Sequence, residues 1–281
     1  MTNCIHIEFN EKMMVFGAPS SNAAATEALI RKANELDLDL KTQVICTGDI
    51  IAYCGRPNKT TDLLRENSIL SILGNVEEKL ISESTHDNHP GKYSSYKELS
   101  EKWFKFIKNN YKQENYEYIR SLPRCARFNI GNKRAVVVHG SYTQIDKYIF
   151  KSTPEQEKIE EAFIADAEII IGGHCGLPFI DKNEKYLWFN PGLIGLPAND
   201  GTSRVWYGLI EKVENDIVFK ILPLEYDFKS EQKFMKQFDM PEEYSITLET
   251  GLWPDESILP DFEKSQRGVQ IDRKIEKISG I

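Results

Sequence analysis

Four short runs of branched apolar residues break off at a glycine beside one chemically capable side chain. They are TQVICTGD (42–49), SILSILGN (68–75), KRAVVVHG (133–140) and EIIIGGH (168–174). Runs this short and this apolar read as strands buried on both faces, in a sheet covered by helices. Helical stretches lie between them. PSSNAAATEALIRKANEL (19–36) carries a capping residue, Ser20 or Ser21, before an alanine-rich segment with Ala25, Leu29 and Leu36 facing inward. NKTTDLLREN (58–67) follows the second strand. With KMMVFG (12–17) as the opening strand, the order is β-α-β-α-β, which implies parallel pairing and an α/β core.

Helical patterns recur at 98–111, 114–122 and 154–165, and strands at 124–130, 185–190, 203–212 and 216–225. The irregular alternation of these later strands points to a second sheet packed on the first. A polar stretch at 79–97, with His86 and His89, reads as an exposed insertion; either histidine could reach over a cleft as a general acid. Trp103, Phe104 and Phe106 read as helix-packing residues. Residues 1–226 form the expected main domain and 227–281 a helical extension, loose beyond Trp253, which pins it to the body.

The formal charge of −8 argues against a general nucleic-acid binder. Five scattered cysteines without a CxxC pair suggest neither a disulfide framework nor a thiolate zinc knuckle. The N-terminal residues show no signal-peptide pattern, and no apolar run has the roughly 20 residues of a membrane helix. A soluble cytoplasmic protein, with an oligomer possible, is the simplest expectation.

The residues that end the strands are Asp49, Asn75, His139 and His174. Open α/β sheets collect ligands at the carboxyl ends of their strands. One carboxylate, one amide oxygen and two imidazoles make a mixed O/N set suited to Mn, Fe or Zn. Each residue alone is common as hydrogen-bonded structure; the information lies in four of them in this order.

That order, VFG, TGD, LGN, VHGS, GGH and FNPG, with flanking GDIIAY, RPN and NPGLIG, resembles the calcineurin-like metallophosphoesterases, particularly their small bacterial and archaeal phosphodiesterase-like branch. The resemblance runs from about Met13 to Pro223 and implies a four-layer α/β/β/α sandwich with its site at the strand ends. The chain departs from the family where one of two metals binds. The family's first-strand Asp-x-His pair falls on Ala18 and Ser20, although Asn22 matches. The last site histidine falls on Gly176, and the histidine that protonates the leaving group falls on Val76. A serine and an arginine common after NPG fall on Leu193 and Ala198. The ligand set of the other metal survives as Asp49, Asn75, His139 and His174, which implies one divalent ion per chain, with Asp49, His139 and His174 catalytic.

Further candidates surround this set. Ser20, Ser21 and Asn22, at a helix start, could hold a phosphate on the unpaired N–H groups, and Arg56 could contact it. Cys54 and Cys175 are either substitute ligands or small buried residues. Restoring Ala18→Asp, Ser20→His and Gly176→His is expected to raise activity. Three functions fit: a metal-dependent phosphoesterase acting on a small phosphorylated substrate, a catalytically weak phosphoesterase fold kept for binding or regulation, and metal chemistry other than phosphate hydrolysis.

Overall fold

Alternation within the strands builds the layers. In β2 (Lys12–Phe16), Met13 and Val15 face one way and Met14 and Phe16 the other, and all four are fully buried. Met13 and Val15 join a core with Phe128, Val137, Ile171 and Phe189, between two sheets. Met14 and Phe16 pack outward against Ala25, Leu29 and Leu64 of the covering helices. A third cluster, Val136, Ile170 and Trp188 with Ala162 and Ala165, lies outside the second sheet. Helix, sheet, sheet and helix therefore stack in four layers.

The computed structural model describes residues 3–82, 94–238 and 240–279. One sheet runs β12 (Lys274–Ser279), β11 (Asp216–Leu224), β10 (Val205–Val213), β2, β3 (Val44–Cys46) and β4 (Leu70–Ser71). The other runs β1 (Cys4–His6), β5 (Cys125–Ile130), β6 (Lys133–Val137), β7 (Ile169–Ile171), β9 (Leu187–Asn190) and β8 (Phe179–Lys182). The trios β2·β3·β4 and β6·β7·β9 are parallel. Helices α1 (Ala23–Glu35) and α2 (Pro57–Glu66) cover the first sheet, and α6 (Glu155–Ala165) covers the second. Full burial of Leu29 on α1 contributes about 2 kcal/mol. Among the described residues no helix is long and apolar enough to cross a membrane.

Several local expectations change. The cap of α1 is Asn22, whose Oδ1 accepts the Ala25 N–H at 3.0 Å, in place of Ser20 or Ser21. The third strand is short, and Asn75 opens a helix, α3 (Asn75–Ile81). Most of the polar stretch at 79–97, with His86 and His89, lies outside the described residues; α4 (Ser94–Asn110) and α5 (Gln113–Arg120) follow it. Cys4 and Cys125 face each other across the parallel pair β1·β5 and form a disulfide, Cα atoms 4.5 Å apart. Their separation of 121 residues hides this pairing from any local reading.

The segment beyond Trp253 is no loose tail. After α7 (Phe228–Gln237), α8 (Glu242–Thr250) and α9 (Asp261–Ser265), it closes as β12, paired with β11 from Lys274 to Ser279. Trp253 is buried, and its indole N–H donates to the Pro197 carbonyl at 2.7 Å.

Candidate metal centre

Register carries the strand ends into line. Phe16 pairs with Cys46 and Cys46 with Ser71, while Val137 pairs with Ile171 and Ile171 with Phe189. The loops that follow emerge at one edge of the sandwich. Two glycines set how closely they meet. Gly48 sits at φ +97°, and a Cβ there would lie 2.7 Å from the Gly74 nitrogen. A Cβ on Gly74 would lie 2.2 Å from both the nitrogen and Oδ1 of Asp49. Any larger residue at either place separates the loops.

On these loops Asp49, Asn75, His139 and His174 converge. His139 Nε2 lies 2.9 Å from Asn75 Oδ1, 3.1 Å from His174 Nδ1 and 3.3 Å from Asp49 Oδ2. Its other ring nitrogen is 2.7 Å from the Thr47 carbonyl oxygen, so Nδ1 carries the hydrogen and Nε2 turns a lone pair inward. Asn75 can meet this cluster in two ways. With Oδ1 inward it adds a further lone pair; turned over, its amide donates to Asp49 and to both histidines. Acceptors aimed at one point repel one another unless positive charge lies among them. The ligand atoms of Asp49, His139 and His174 all fall within 4.8 Å, and the set fits a divalent cation.

The electrostatics agree. Burial raises the Asp49 carboxyl, but the imidazoles of His139 and His174 and the Val76 N–H hold it below its ordinary range. Burial lowers His139, while Asp49, the Thr47 carbonyl and Glu77 lift it above its ordinary value. The two shifts are opposite because the carboxylate and the imidazole each stabilise the charged form of the other.

Three residues that sequence reading passed over hold this geometry. Glu77 is fully buried, and its carboxylate accepts N–H groups from Asp49 at 2.9 Å, Gly74 at 3.0 Å and Ile51 at 3.1 Å. Burial, and then the Asp49 charge, push its carboxyl up to about 7. Its signal was present: an acidic residue at the third position of a helix reaches back to the helix start. Tyr148 stacks on His174 with ring centroids 4.2 Å apart and planes 19° from parallel, fixing the imidazole. Asn190 donates to the Gly173 carbonyl at 2.6 Å and accepts the Gly192 N–H at 2.9 Å, tying down the loop that carries His174.

Residues 8–212 match the family model of the calcineurin-like phosphoesterase superfamily domain. The chain belongs to this superfamily. An uncharacterized protein of Methanocaldococcus jannaschii is 26% identical over 234 residues, covering 77% of this chain and 89% of that protein. Of solved structures, a hypothetical protein from Pyrococcus horikoshii superposes with a TM-score of 0.70 at 19% identity, over 86% of this chain and 99% of the other. A metallophosphoesterase from Sphaerobacter thermophilus superposes with a TM-score of 0.65 at 22% identity, over 87% and 100%. These two likenesses are of fold.

This superfamily is metal-dependent, and beside the converging residues the wall of the site is closely packed. Gly176 has φ +75°, and a Cβ there would lie 2.7 Å from Leu193 Cδ2 and 3.1 Å from the Trp253 ring. The wall at this place is therefore apolar, formed by Ala18, Leu193 and Trp253. Ser20, Ser21 and Asn22 are fully buried. Ser20 N–H donates to the Asp49 carbonyl, Ser21 N–H to the Ile50 carbonyl, and Ser21 Oγ accepts the Ala52 N–H. Asn22 caps α1 through Oδ1 and donates from Nδ2 to the Gly195 carbonyl. These groups hold loops together, and none lines the cavity beside the metal-facing cluster. Arg56 turns to Glu231 on α7, at 2.9 and 2.6 Å, and does not line it either.

The cysteines behave as buried thiols. Cys54 points its sulfur at the Gly195 carbonyl, 3.6 Å away, and burial pushes its pKa well up. Cys175 lines the cavity, but its sulfur contacts the Leu177 carbonyl and the Asn190 amide, and burial pushes its thiol up to about 12.

Proposed function

We propose that this member hydrolyses a small phosphomonoester or phosphodiester with a single metal site, held by Asp49, Asn75, His139 and His174. The supporting observation is the contrast between two halves of one site. Four donors converge in one half, while Ala18, Leu193 and Trp253 make the other apolar. A bound Mn, Fe or Zn ion would supply Lewis acidity toward the phosphoryl oxygen and lower the pKa of a water molecule.

Hydrolysis adds water across the P–O bond: the hydroxyl goes to phosphorus and a proton to the leaving oxygen. Val76 lines the cavity beside Asn75 and has no proton to give. A general acid is worth about 10²–10⁴-fold, so its loss falls hardest on poor leaving groups. Turnover of substituted phenyl phosphates by the manganese-loaded protein should therefore drop steeply as the leaving phenol becomes less acidic. A flat dependence would mean that another residue donates the proton. The apolar half-site also favours a second reading, a phosphoesterase fold retained for binding. That reading prevails if metal-loaded protein turns over no phosphoester while Asp49→Ala still disrupts binding of a partner.

A further inference from the structure

The cavity beside the metal-facing cluster measures about 90 Å³, several times the space one water needs. Its walls divide by chemistry. At one end stand Asp49, Asn75, His174 and Lys79. Lys79 lies one turn beyond Asn75 on α3, on the same face, and is the only lysine or arginine among the described lining residues. Its ammonium lies over the Phe104 ring, 5.3 Å from the centroid, whereas Arg56, the cation suggested by the sequence, does not line the cavity.

The remaining wall is largely apolar, with Asp255 at its rim, and one stretch of it is aromatic and comes from separate parts of the chain. Tyr53 follows β3, Trp103 lies on α4 and Tyr244 on α8. Tyr53 meets Trp103 edge-on with centroids 5.6 Å apart, and Tyr244 at 4.8 Å, so the three rings form one continuous surface. Trp103 is 4% exposed, and its indole N–H has no hydrogen-bond partner among the described residues. A flat ring stacked on this surface gains a ring–ring contact that a saturated group of the same size does not.

We infer that the site takes a phosphoester that carries a flat aromatic ring, with the phosphoryl group between the metal-facing residues and Lys79 and the ring against Tyr53, Trp103 and Tyr244. This rests on the phosphoesterase reading above. Two sources share the chemistry, an aryl phosphate and a nucleotide whose base supplies the ring.

Calorimetric binding to the full-length, manganese-loaded protein tests it without turnover, using phenylphosphonate, adenosine 5′-monophosphate, ribose 5-phosphate and inorganic phosphate. At least one of the first two should bind about tenfold or more tightly than ribose 5-phosphate, and which one leads identifies the source. Trp103→Ala should remove that preference while leaving metal content and phosphate binding in place; Tyr244→Ala, a second opening of the same wall, should do likewise if Trp103→Ala fails to fold. Lys79→Met should weaken all four ligands. Equal affinity for the aromatic ligands and ribose 5-phosphate, or a preference that survives both wall substitutions, would overturn the inference and leave the phosphoesterase reading standing. If none of the four binds, both fall.

Discussion

Glu77 offers no atom to the cluster, yet the loops bearing Asp49 and Asn75 both hang on its carboxylate. Glu77→Gln replaces one acceptor oxygen with an amide that must face an N–H. Supporting residues of this kind typically cost about 10–100-fold in metal affinity when changed. Competition with a fluorescent chelator should show a loss of that size, and unchanged affinity would remove Glu77 from the site. The four converging residues were legible in sequence because each lies just past a buried strand, where side-chain chemistry is exposed by position. Glu77 and Tyr148 were not, because they act through other residues. Ser20, Ser21 and Arg56 misled for a related reason: the sequence gives their place in the chain but not the backbone groups and the Glu231 carboxylate that engage them.

At the scale of elements, the segment after α8 decides what the site can become. Trp253 is fixed by the Asn199 side chain at its backbone N–H and by Pro197 at its indole, and it closes on Gly176. Restoring the family ligands with Ala18→Asp, Ser20→His and Gly176→His looks helpful in sequence. In the fold, the new side chain at 176 meets Leu193 and Trp253 from a left-handed backbone, and the one at 20 meets Gly195. We expect the triple variant to lose stability, by about 2 kcal/mol or more, and to gain no activity. Chemical denaturation and a nitrophenyl phosphate assay would check this; a stable, faster enzyme would mean that Trp253 yields easily. The role of this segment was hidden because its strand, KIEKIS, is rich in charge and lacks a clean alternation, and it pairs with β11 between 53 and 63 positions earlier. Such a pattern reads as a solvated tail until its partner strand is known.

At the scale of the molecule, the layered core follows from continuous apolar runs such as β2, buried on both faces, and family membership follows from the order of the strand ends. The number of metals does not, because it depends on whether space remains beside Gly176. The central proposal is therefore a stoichiometry. Elemental analysis of the purified protein should give one equivalent of Mn, Fe or Zn per chain. His139→Ala and His174→Ala should each abolish it while circular dichroism stays unchanged, since an imidazole lost from four ligands removes much of the binding energy. Two equivalents per chain, or an occupancy that survives both substitutions, would contradict the single site.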